Sequence, residues 1–102
     1  MTDDTETVFE IVLAAVLEPG TTHDRLLKRL VERLGTRRPL AVIRALLGAE
    51  GALRETFNGS SEASREIALA RHAVRTLTVL ADRAEAAAEP GAGPARLADL
   101  DL

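Results

Sequence analysis

The sequence predicts an all-α domain, a compact four- to five-helix bundle with a long C-terminal helix and a flexible tail. Three observations predict it. Ala (18) and Leu (16) make up one third of the 102 residues, and these are the strongest apolar helix formers, whereas strand formers are scarce. Apolar residues recur at helical spacing along most of the chain. Breaks rich in Gly and Pro cut the chain into helix-length pieces: Glu18-Pro19-Gly20, Gly35 to Pro39, Asn58-Gly59 and Pro90 to Pro94.

The first helix is expected from about Asp4 to Leu17. Asp3 can cap it, Glu6 completes a capping-box-like pair, and acids suit the positive helix start. Pro19 ends it. Between Val8 and Leu17 only Glu10 is polar, so this helix is expected to be central or buried on two sides, with a partner chain covering the second side. The second helix is expected from Thr22 to Leu34, stopped by Gly35. Leu26, Leu27, Leu30, Val31 and Leu34 give it one apolar face, and Arg25, Lys28, Arg29 and Arg33 lie mostly off that face.

After the short connection Thr36 to Pro39, Pro39 suits the first turn of a third helix reaching about Leu47. Leu40, Ile43 and Leu47 mark one face, with Val42 and Leu46 beside it. Gly48 and Gly51 either break this element or weaken it, so Ala49 to Phe57 reads as a fourth helix or a continuation. The last helix starts at Ser60 or Ser61, both good caps, and runs to Ala88. Ala63, Ile67, Ala70, Val74, Leu77, Ala81, Ala84 and Ala88 follow heptad a/d spacing. At ~1.5 Å per residue this helix is roughly 43 Å long and outruns a core made by shorter helices. Residues 1–89 therefore form a single helical domain. Residues 90–102 read as a flexible acidic-hydrophobic tail, in which Leu97, Leu100 and Leu102 alternate with Asp99 and Asp101.

Composition excludes several chemistries. With no Cys there is no disulfide framework, thiolate zinc site or cysteine nucleophile. The acidic start, Met1 to Glu6, is the opposite of a signal peptide. The longest apolar run, Ile11 to Leu17, falls far short of the ~20 residues of a membrane span. A cytoplasmic protein without membrane association is the expectation, and 12 Arg against one Lys suggests a GC-rich, bacterial genome. Charge is segregated: −5 over residues 1–20, +5 over 21–54 and −3 over 55–102, for a net −3.

The basic middle offers a nucleic-acid reading through Arg25, Lys28, Arg29, Arg33, Arg37 and Arg38. Leu34 to Leu47 resembles the opening helical stretch of ArsR-type winged-helix repressors, which implies a helix-turn-helix-like transcriptional regulator. Against it, residues 60–88 show no turn before a recognition helix, no strand pair follows, and the pI is near 5.4. His72 to Thr78 resembles the phospho-acceptor helix of sensor histidine kinases but lacks the acid after the His and the Pro after the Thr. The two His, His23 and His72, stand far apart and belong to no Glu-x-x-His pair. No enzyme, cofactor or metal is expected.

The favoured expectation is a small protein–protein interaction module, a regulator, adaptor or subunit that self-associates as a homodimer. Its expected contact residues are Val8, Ile11, Val12 and Val16 on the first helix and Ile67, Val74 and Leu77 on the last.

Overall fold

The computed structural model describes residues 4–57, 63–91, 93–100 and 102, with side chains from Thr7 onward. The fold is an all-α bundle with four helices among the described residues: α1 (Asp4–Leu17), α2 (His23–Leu34), α3 (Pro39–Phe57) and α4 (Ser64–Ala87). A 3-10 turn follows at Leu97–Asp99. The caps expected at Asp3, Ser60 and Ser61 lie outside the described residues.

Helix α1 buries one row, Val8, Val12, Ala15 and Val16, at the i, i+4, i+7, i+8 spacing of a single helix face. Phe9, Ile11 and Leu13 flank that row half-buried, and Glu10, Ala14 and Leu17 face outward. The expectation of a central helix buried on two sides is therefore corrected. The bundle has only enough neighbours to cover one side of α1, since α3 and α2 pack against it and α4 meets it only briefly. Glu18 to Gly20 reverse the chain, and Gly20 takes φ +75, a conformation that glycine adopts at no steric cost.

Thr22 caps α2, its hydroxyl accepting from the Arg25 N–H at 3.3 Å. Leu26, Leu27, Leu30 and Leu34 form its buried face. Gly35 ends it in a right-handed rather than left-handed conformation. Its small size serves a close approach instead, because an added Cβ would stand 2.6 Å from the Val31 carbonyl oxygen and 3.3 Å from the Ala98 Cβ.

Helix α3 runs unbroken through both of its glycines, so the described residues hold four helices rather than five. Val42, Ile43, Ala45, Leu46, Ala49 and Leu53 bury one continuous face. The roughly 1 kcal/mol helix penalty of each Gly is small beside that burial. Gly48 lets the Phe9 ring lie against the helix, at ordinary contact distance from where a Cβ would be, and Gly51 faces open space.

Helix α4 packs chiefly on α3. Its fully buried positions are Ala70, Ala73 and Leu77, so the buried row runs through Ala73, outside the expected heptad stripe. Ile67, Val74, Ala81 and Ala84 of that stripe are half-buried and Ala88 is exposed. At ~1.5 Å per residue the 24 residues span about 36 Å of a molecule 47 Å long, and the last turns outrun the core as expected.

The segment read as a tail returns to the bundle. Leu97 is 0% exposed and Leu100 is buried. The Leu97 N–H donates to the Arg37 carbonyl (2.8 Å) and the Ala98 N–H to the Gly35 carbonyl (3.0 Å). Carbonyls beyond the end of α2 have no partner within the helix, and these two backbone donors satisfy them. No described helix is long and apolar enough to cross a membrane.

Candidate protein-docking groove

The structure divides the expected contact residues into two groups. Val8, Val12, Val16 and Leu77 are core residues of this chain, Val12 and Leu77 at 0% exposure. A partner cannot reach them without unfolding the bundle, which corrects their assignment to an interface. The apolar excess that suggested one is covered mainly by α3 and α2. Ile11, Ile67 and Val74 sit half-buried at the edge of the core.

The basic residues fan out rather than converge. Arg25, Lys28 and Arg29 project from the outer side of α2, where Asp24 and Glu32 interleave with them. Arg29 donates to Glu18 at 3.2 Å and lies 3.9 Å from Glu32. Arg38 is exposed and Arg37 half-buried in the turn before α3. Helices α2 and α3, on either side of that turn, make little contact with each other, whereas a helix-turn-helix pair packs together.

Members of the two sets meet in one place. Between α1 and α2 runs an open groove of about 540 Å³. Its apolar wall is Ile11, Ala14, Ala15 and Leu17, closed at one end by Pro19. Arg29 and Arg33 form the opposite rim, and Glu10 and Glu18 the near one. Leu17 is 46% exposed, a large apolar side chain held at the lip. Arg33 has no ion pair among the described residues. The site thus offers an apolar trough with an unpaired cation, Arg33, on one rim and an unpaired carboxylate, Glu10, on the other, among the described residues. Such a trough suits an apolar side chain that has a carboxylate beside it.

Three further features were not readable from spacing. His23, at the start of α2, stacks on His72 of α4 with ring centroids 3.7 Å apart and planes 16° from parallel. The same ring lies with Nε2 3.1 Å from the Thr76 hydroxyl. Burial, and then His72, holds the His23 pKa below its ordinary 6.5, with Asp24 opposing. His72 lies exposed on α4, and no sequence signal links it to a residue 49 positions earlier. The second feature is Glu50 on α3, which pairs with Arg54 on its own helix (3.0 Å) and with Arg71 on α4. The i,i+4 half of this arrangement is visible in the sequence; the cross-helix half is not. The third is Leu97, already described. Among the described residues no group of three metal-ligating side chains comes together.

The chain matches no family model, no curated protein and no solved structure.

Proposed function

We propose that this protein is a small helical interaction module, a regulator, adaptor or subunit, whose α1–α2 groove takes the α1 face of a second copy. The observation that supports this most is the self-complementarity of α1 and its groove. The outward face of α1 carries Glu10, Ala14 and Leu17, with Glu18 just beyond its end, an apolar strip edged with carboxylates. The groove beside it presents apolar Ile11, Ala14 and Leu17 opposite Arg29 and Arg33. A two-fold axis near Ala14 sets Leu17 of each copy over the trough of the other and brings acids onto the basic rim. Isologous contacts of this kind close on themselves as dimers. One 14-residue helix offers less than the ~800 Å² per partner of a standard interface, so the association is reversible and concentration-dependent.

Sedimentation equilibrium from 10 to 500 µM tests the reading. The expected result is a monomer–dimer equilibrium that Leu17→Glu abolishes and Arg33→Glu weakens. Joining Glu10→Arg to Arg33→Glu in one chain restores it, because the pairing is reciprocal. A chain monomeric throughout the range, or a charge exchange that fails to rescue, overturns it. The nucleic-acid alternative has no comparable support, given the weak contact between α2 and α3 and the acids interleaved among the α2 bases.

A further inference from the structure

The corner between α1 and α2 is tied to α4 by two polar contacts. The Arg65 guanidinium donates to the Thr21 carbonyl. Two turns along α4, His23 of α2 stacks flat on His72 and meets the Thr76 hydroxyl with Nε2. Thr21 itself is buried, with no partner for its hydroxyl, so little else polar holds this corner.

We propose that the stacked His23–His72 pair is a proton-operated latch that holds the start of α2 on α4 when the His23 ring is neutral and releases it when that ring is charged. Two neutral imidazoles stack favourably, face to face. Like positive charges on rings 3.7 Å apart repel each other. A charged His23 can only donate from Nε2, so it also loses any bond that Nε2 accepts from Thr76. The surroundings add little to hold a cation. Asp24, 3.9 Å from the His23 ring, is almost fully exposed. On α4 the neighbours are Arg71 and Arg75, which line the same hollow as His72, with Arg65 and the partly buried Glu66 towards its start. Glu18, at the end of α1, is bound to Arg29.

The direction of the response follows from His23. Its pKa in the closed corner lies below 6.5, whereas the released ring returns to about 6.5. Below 6.5 the released state therefore binds a proton that the closed state refuses. Closure is complete above 6.5, weakens as pH falls towards the lowered pKa, and changes no further below it. Each unit of separation between the two pKa values shifts the equilibrium about tenfold.

Amide hydrogen exchange on the full chain from pH 7.5 to 5.0, expressed as protection factors, tests the latch. The expected result is a loss of protection at Leu26 and Leu27 of α2 as pH falls through 6.5, with α3 amides such as Leu46 and Ala49 unchanged. His23→Gln is neutral at every pH and retains a donor for Thr76, so it removes the response. His72→Gln removes the stacking partner and reduces it, and serves if the first variant folds poorly. Unchanged protection at Leu26 and Leu27, or an equal loss in both variants, overturns the proposal. None of these readouts depends on whether the groove binds a second copy.

Discussion

Replacing Leu97 with Ala tests whether the returning segment belongs to the core. The side chain is 0% exposed, and the change removes three carbons, a transfer loss of about 2.4 kcal/mol at ~0.8 kcal/mol per methylene. A rigid site adds a cavity penalty that brings buried Leu→Ala changes to about 3–5 kcal/mol. Leu97 is not in a rigid site. It lies on a short turn preceded by residues 88–91 and 93–94, all exposed, so the segment can resettle or detach. The total cost cannot exceed the free energy of docking that segment. The expected loss is thus about 2–3 kcal/mol, below the 3–5 kcal/mol expected for Leu46→Ala in the middle of α3. Urea titration followed by far-UV circular dichroism reads it directly, and the melting temperature should fall by roughly 10–20 °C. Trypsin should also cut faster at Arg96 in the variant. A loss under about 0.5 kcal/mol, the level of an ordinary surface substitution, would refute the reasoning and return residues 90–102 to the status of a free tail.

Three other substitutions have definite outcomes. Gly51→Ala places a methyl in open space within a helix and should stabilise the fold by about 0.5–1 kcal/mol, measured by the same titration. Gly35→Ala forces a Cβ against the Val31 carbonyl and Ala98. It should destabilise by about 1–2 kcal/mol, and the amide of Ala98 should lose exchange protection with it. Glu50→Gln removes the carboxylate shared by Arg54 and Arg71. Because both arginines are half-exposed, the cost should be about 1 kcal/mol or less and should shrink in high salt; a double-mutant cycle with Arg71→Ala isolates the link between helices.

The sequence was most informative where one local rule had no competitor. Pro19-Gly20 allows no helix, and α1 and α2 end and begin around it within a residue of expectation. It was ambiguous where a local cost opposed a distant gain. Gly48 and Gly51 each penalise a helix, and only the burial of Ala49 and Leu53 against other elements decides that α3 continues. On α4 the heptad pattern can be drawn through several rows, because Ala is frequent enough to complete more than one. Ala73 lies outside the expected row yet is fully buried. The groove was half visible, since an apolar α1 and a basic α2 are both plain in the sequence. Their meeting at Ile11 and Arg33 depends on how two helices pack, as does the stacking of His23 on His72. A tail of alternating Leu and Asp looks the same whether frayed or docked, until a site for Leu97 exists.

The bond from Leu97 to Arg37 also bears on how the chain folds. It joins residues about sixty positions apart in sequence, so it closes a long loop and brings little return until α2, α3 and α4 have already met. The pairs α1 with α2 and α3 with α4 are neighbours in sequence and can form on the microsecond timescale of helical hairpins. Leu97 and Leu100 join a core cluster that also holds buried residues of all four helices. The segment should therefore join after the folding transition state, and Leu97→Ala should speed unfolding while leaving the folding rate nearly unchanged.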